Sequence, residues 1–251
     1  MKNFIITTLL LCLFVFLTTG SFVYADDDAL EIIRKMDEKQ ASETGKSIMS
    51  MIVYTDADDE ATAREMKMLS YSQGDDDTYM EFIEPRTITG LRILSKGDDQ
   101  WVFFPSTGRT RKIASSAKKD SVKGVGGDFS YEDMSGGTFE GKYTPTILKA
   151  NDTSWVIEGL SKKADAVYSK VIVTVDKQTY LPHKMEYYTD EEGHYKDMLM
   201  EDFKVISGRD TATKTTMITL EKNTKTVIIL HEAEYDIPIP EKYFDSNRFS
   251  K

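Results

Sequence analysis

From Gly45 almost to the C-terminus, apolar and polar residues alternate with a period of two, interrupted by short turn-forming clusters. Successive side chains of a strand point to opposite faces, so this pattern commits the chain to sheet with one apolar and one polar face. Candidate strands are residues 47–55, 62–72, 78–84, 91–95, 100–104, 110–113, 144–150, 154–160, 169–177, 183–189, 195–206, 212–220 and 226–234. Gln73-Gly74-Asp75, Lys96-Gly97-Asp98, Glu192-Gly193, Ser207-Gly208 and Lys222-Asn223 supply the turn chemistry between them. Connections this short join antiparallel neighbours, and no helix in the second half is long enough for a crossover. The expected topology is an up-and-down meander in one mainly β domain spanning 26–251.

Two other segments precede that pattern. Lys2, the apolar run at 9–17, and Val23 and Ala25 just ahead of Asp26 have the layout of a secretory signal peptide at 1–25. The run is short for a membrane span of about 20 residues, and Thr18-Thr19-Gly20-Ser21 breaks it. Leu11 precedes Cys12 where a lipoprotein signal requires a small residue, so cleavage after Ala25 and a periplasmic location are expected. Cys12 is the single cysteine, and the exported chain would fold without disulfides. Residues 26–40 read as a helix, with Asp26, Asp27 and Asp28 complementing its N-terminal dipole and Leu30, Ile33 and Met36 on one face.

Composition narrows the functional classes. With 42 acidic and 32 basic residues the formal charge is −10, which argues against nucleic acid and anionic lipid headgroups as main partners, since both reward clustered Lys and Arg. A mean hydropathy of −0.41 excludes a polytopic membrane protein. An outer-membrane barrel needs an apolar face on every strand. Residues 62–72 place Arg64 on one face and Glu65 and Lys67 on the other, and 195–206 is charged on both faces.

Methionines recur at spacing two, as Met49/Met51, Met66/Met68 and Met198/Met200. A flexible thioether suits a surface that accepts variable apolar shapes, and it also fills gaps in an ordinary core. Trp101 and Phe103 share one strand face, with Val102 and Phe104 on the other. A sheet of about a dozen strands is wide for one interior and commonly encloses a ligand cavity. Residues 114–141 break the strand rhythm with Ser, Lys and Gly, and 114–121 has the makings of a short helix. Inserts of this length in a meander are usually functional or mobile.

No catalytic or metal-binding arrangement emerges. His183, His194 and His231 lack paired-ligand spacing. There is no G-x-S-x-G elbow, and the aspartate runs lack the periodicity of a calcium loop. Gly124-Val125-Gly126-Gly127 lacks the Lys-Ser/Thr of a phosphate loop. Neither metal nor cofactor is expected, and no enzyme.

Phe82-Ile83-Glu84-Pro85, Thr89-Gly90-Leu91-Arg92-Ile93-Leu94, Trp101-Val102-Phe103-Phe104-Pro105, Arg109-Thr110-Arg111-Lys112-Ile113 and Gly127-Asp128-Phe129-Ser130-Tyr131-Glu132-Asp133-Met134 occur in that order. Together they resemble the outer-membrane lipoprotein-sorting family, relatives of the periplasmic lipoprotein carrier, over residues 26–247. The resemblance implies an incomplete, half-open antiparallel barrel with an N-terminal helix and lid helices over its mouth. It also implies a hydrophobic concave face for lipoprotein acyl chains or another lipid, and an inner-membrane transporter of ABC or RND type as partner. Phospholipid, glycolipid or hopanoid-like cargo suits such a groove equally.

Lipid tails need a dry, adaptable cavity, where each buried CH₂ contributes about 0.8 kcal/mol, and a carrier needs a lid that moves. The expected lipid-binding residues are Met66, Met68, Trp101 and Phe103 on strands, with Phe129, Tyr131 and Met134 on the 114–141 insert. Arg109, Arg111 and Lys112 are expected to meet lipid headgroups or lid carboxylates such as Asp128 and Asp133; a solvated strand edge accounts for them equally well. The expected function is a monomeric periplasmic carrier that shields acyl chains in transit. The alternatives are an envelope docking module with a filled core, and a lipid hydrolase, for which no nucleophile arrangement is visible.

Overall fold

The computed structural model describes residues 26–251; the signal peptide expected at 1–25 lies outside the described residues. Helix α1 (Asp26–Gln40) is followed by β1 (Thr44–Tyr54), β2 (Arg64–Gln73), β3 (Asp77–Glu84), β4 (Arg92–Lys96), β5 (Asp99–Phe104) and β6 (Arg109–Lys112). After residues 113–138 come the single-turn helix α2 (Phe139–Lys142) and β7 (Tyr143–Ala150), β8 (Ser154–Ser161), β9 (Lys170–Asp176) and β10 (Pro182–Thr189). The last strands are β11 (Gly193–Ile206), β12 (Arg209–Thr219) and β13 (Thr224–Tyr235). Among the described residues no helix is long and apolar enough to cross a membrane.

All thirteen strands form one antiparallel sheet in the order β6-β5-β4-β3-β2-β1-β13-β12-β11-β10-β9-β8-β7. Hairpins account for every neighbouring pair except β1 with β13, which join over ten register positions. The simple meander expectation therefore needs one correction. β6 and β7 are consecutive in sequence but lie at opposite edges of the sheet, so 113–138 must carry the chain from one edge to the other.

The sheet curls without closing. Asp98, between β4 and β5, forms an ion pair with Lys163, just past β8. In a flat sheet those positions would be roughly 50 Å apart at the usual interstrand spacing. Bulges at Ile48/Met49, Lys67/Met68, Tyr187/Tyr188 and Ile147/Lys149 add local bend and twist. β6 and β7 keep unpaired edges; β6 is short and charged and β7 carries Pro145, both of which deter edge-to-edge association.

The concave face has one continuous row across eight strands. Val53 pairs with Thr226, Thr226 with Met217, Met217 with Met198, and Met198 with Met185. Met185 then pairs with Val173, Val173 with Ile157, and Ile157 with Ile147. Helix α1 covers the β7–β10 end of this face, packing Ile33 and Met36 against Ile157, Val173 and Val175. Of the stripe read from sequence at 30, 33 and 36, Ile33 and Met36 are buried with Ala29 and Ile32, while Leu30 is only half-buried at its margin.

Asp37 fastens α1 to α2, accepting the backbone N–H groups of Phe139 (3.1 Å) and Glu140 (2.9 Å). Burial raises the Asp37 carboxyl above the ordinary range, against the lowering effect of those two bonds. A carboxyl whose folded pKa exceeds its unfolded one adds stability below the unfolded value and loses it as pH rises through the folded value. Asp37→Asn removes that dependence. Urea denaturation should therefore show the variant gaining on wild type as pH rises from about 3 to about 7. A difference that stays flat with pH would contradict the assignment.

Candidate functional site

The β1–β6 end of the concave face is covered by residues 114–138, the segment termed the lid. Val122, Val125, Phe129, Tyr131 and Met134 are all buried against Met51, Met66, Met68, Phe82, Ile93 and Val102. Every methionine from Met36 onward lies on the concave face, on the inner stripe of α1 or, for Met134, on the inner side of the lid. Met68 is the direct cross-strand partner of Met49, and Met66 of Met51. The methionine pairs visible in the sequence thus converge on one surface.

The lid has little regular structure. It contains one 3₁₀ turn, Ser115–Ala117, and one isolated bridge, Ser121 with Ser130. The lid helices implied by the resemblance are otherwise absent, because five glycines at 124, 126, 127, 136 and 137 disfavour helix. Four of these, Gly124, Gly126, Gly127 and Gly137, have positive φ. Gly127 lies tight against β1 and β13. At φ +82°, an added Cβ would lie 2.7 Å from Thr226 Oγ1 and 2.8 Å from a Val53 methyl. Gly127→Ala should therefore lift this part of the lid, at a cost of about 2 kcal/mol. Faster tryptic cleavage at Lys118, Lys119 and Lys123 in the native state would show it; unchanged cleavage would mean the lid is not held at Gly127.

A polar latch holds the lid to β11 and β13. Lys196, on the concave face two residues from Met198, donates to the Asp128 carbonyl (2.6 Å), Asp133 Oδ2 (3.0 Å) and the Tyr168 hydroxyl (3.2 Å). Its three ammonium hydrogens are thereby all used. The Lys196 and Asp133 side chains are only 4% and 3% exposed. Asp133 also accepts from Tyr168 (2.8 Å) and from the Ser130 backbone N–H (2.7 Å) and hydroxyl (2.8 Å). Burial, ahead of the nearby Asp133 charge, holds Tyr168 well above the usual phenol range, which keeps it a donor. The Asp128 carboxylate accepts from Thr224 (2.5 Å) and Thr226 (2.7 Å). On the other arm of the sheet, Gln100 donates to the Tyr131 carbonyl (2.9 Å), and Arg64 donates to the Val125 carbonyl.

The structure groups only part of the expected site. Met66, Met68, Phe129, Tyr131 and Met134 come together in one cluster. Trp101 and Phe103 do not join them. They point to the convex face, in a cluster with Tyr79, Leu94, Phe244 and Phe249 under the C-terminal segment. Their neighbours Val102 and Phe104 take the concave side, as strand alternation requires. Arg109, Arg111 and Lys112 stay exposed on edge strand β6. Lys112 pairs with Asp99 (2.7 Å), and Arg111 lies 5.9 Å from the centre of the Phe104 ring. The lid carboxylates expected to meet them are held instead by Lys196, Thr224 and Thr226, because the acidic part of the lid folds over β11–β13. Sequence reasoning missed Lys196: it shares strand parity with Met198 and Met200 but also with Asp202 and Lys204, so nothing along the strand sets it apart.

Two cavities flank the lid. One of about 630 Å³ is bordered by Lys196, Asp128, Tyr195 and the tips of the β10–β11 and β12–β13 hairpins. The other, about 640 Å³, lies by Tyr143, Tyr168, Glu132 and Lys142. Both border the loop at 165–167. Among the described residues Ser50 Oγ on β1 lies 2.8 Å from His231 Nε2 on β13. The Ser50 hydroxyl donates its proton to Glu65 (2.6 Å), so His231 is the donor and not a base toward it.

A family model described as "-like: Uncharacterized protein" matches residues 74–251. No curated protein matches. Several solved structures do. A Vibrio parahaemolyticus domain described as an outer membrane lipoprotein-sorting protein is 24% identical, with TM-score 0.79, covering 90% of this chain and 100% of that one. A DUF1329 family protein from Desulfovibrio piger is 21% identical, with TM-score 0.78, covering 88% and 97%. A LolA superfamily protein from Nitrosomonas europaea is 23% identical, with TM-score 0.73, covering 87% and 98%. The chain belongs to the family defined by the matching model, and its fold is that of outer membrane lipoprotein-sorting, LolA superfamily and DUF1329 proteins.

Proposed function

We propose that the protein is a carrier of acyl lipid, with the closed lid as its empty state. The observation that supports this reading is the cover on the methionine-rich concave face. It is a turn-rich segment held by side-chain bonds and not by strand pairing, so it can leave as a unit while the sheet stays intact. Lid departure would expose a broad apolar surface of flexible side chains, suited to chains of differing length and unsaturation. The proposal places the protein in the periplasm as a monomer. Its cargo is lipoprotein acyl chains or another lipid, exchanged with an inner-membrane transporter of ABC or RND type.

A second reading is favoured by the filled interior itself. With Phe129, Tyr131 and Met134 packed in place, the concave face needs no ligand to be dry, as a docking module with a permanent core requires. Native mass spectrometry with organic extraction, on protein purified from the periplasm without detergent, separates the two. A stoichiometric acyl-containing adduct is the expected result. A clean apo mass with no uptake of added lipid or fluorescent fatty acid would overturn the carrier reading in favour of the docking module.

A further inference from the structure

We infer that Lys196, with Tyr168, is the receptor for the phosphate of a phospholipid headgroup, and that the lid occupies this position in the empty protein as a surrogate ligand. The inference rests on the carrier reading and names its cargo class. The lid presents two kinds of chemistry to the sheet. Phe129, Tyr131 and Met134 fill apolar space, while Asp133 delivers an anionic group to a buried ammonium. An acyl lipid carrying a phosphodiester has the same two parts.

Lys196 makes this pairing obligatory. Two of its three acceptors, the Asp128 carbonyl and the Asp133 carboxylate, belong to the lid. Only Tyr168 remains when the lid leaves. An ammonium on an apolar face without its counter-charge is strongly disfavoured, so a ligand that displaces the lid must bring an anion or lose much of what it gains by burying its chains. Tyr168 then turns its hydroxyl from Asp133 to a phosphate oxygen, keeping its role as donor. Lys196 borders the cavity of about 630 Å³, part of whose wall is the lid, so departure of the lid opens that space further beside the ammonium.

The surroundings also select the source of the phosphate. Outside the lid, Asp165, Asp190, Glu191 and Glu192 line the same cavity, against Lys222. A free anion entering this acidic mouth is repelled, whereas a phosphodiester attached to acyl chains is carried in by their burial. The ligand is therefore a lipid phosphate and not inorganic phosphate.

The test uses fluorescent phosphatidylethanolamine, phosphatidylglycerol and diacylglycerol with identical chains, transferred from vesicles to the whole exported protein. Both phospholipids should bind roughly tenfold or more tightly than diacylglycerol, the size of one charge-assisted contact. In Lys196→Met/Asp133→Leu, which replaces the pair by apolar groups of similar volume and so keeps the fold, the preference should fall to within about twofold while diacylglycerol still binds. Asp133→Asn, which weakens the lid but leaves Lys196, should tighten all three lipids and keep the preference. Inorganic phosphate should not compete. A double variant that retains the phospholipid preference, or competition by inorganic phosphate, overturns this inference and leaves the carrier standing. If none of the three lipids binds, diacylglycerol included, the carrier reading fails and this inference with it.

Discussion

Lys196→Met is expected to free the lid: hydrogen exchange at residues 118–135 should quicken roughly a hundredfold, while the paired amides of β1 and β13 change little. The variant leaves Asp133 buried without its cation, a loss of about 3 kcal/mol. The lower end of the usual range applies because Ser130 and Tyr168 still donate to that carboxylate. Removing both charges, in Lys196→Met/Asp133→Leu, should bring the exchange rate part of the way back toward wild type, since no unpaired charge remains while Ser130 and Tyr168 still lose their acceptor. Exchange in the single variant that matches wild type would mean that the pair does not hold the lid. Equal acceleration across the sheet would mean that the lid and sheet unfold together.

The second large effect compares two phenylalanines in one apolar cluster. Phe82 on β3 is fully buried, and Phe129 on the lid is 5% exposed. Truncating either to alanine removes the same atoms and leaves a comparable void, worth about 4 kcal/mol where the surroundings cannot collapse. Phe82→Ala should lower global stability by that amount in urea denaturation. Phe129→Ala should lower it by much less, because a lid that opens separately can cost the fold no more than its own closing free energy. It should also speed uptake of a fluorescent lipid. Equal global losses would show that the lid is an integral part of the core, which is the property of the docking module.

Much of the β architecture was legible because it is written locally. α1 spans the same residues as the helix read from its charge and apolar spacing, and β8, β9 and β13 match their expected segments within about two residues at most ends. Period-two alternation survives in any environment that buries one face. The convergence of Met66 and Met68 with Phe129, Tyr131 and Met134 was also readable, though as side-chain chemistry and not as geometry.

Other features depend on partners far apart in the chain. Asp133 lies 63 residues from Lys196, and Asp128 lies 98 residues from Thr226. Nothing in either local stretch marks Lys196 as buried; in the sequence it counted only as a charge that excludes a membrane strand. Trp101 and Phe103 were assigned to the cavity because alternation shows which residues share a face but not which face is concave. That choice is made by curvature, and by the C-terminal segment that packs Phe244 and Phe249 against the convex side.

By itself, the sequence determined the helix, the strands, the turns and an apolar face rich in methionine, since each depends on interactions between residues close along the chain. The tertiary structure alone decided that β1 pairs with β13, that the 113–138 segment crosses from one sheet edge to the other, and that its acidic end meets a buried lysine. The physical reason is that burial and charge pairing depend on distance in space, and that distance exists only after a thirteen-stranded sheet has curled.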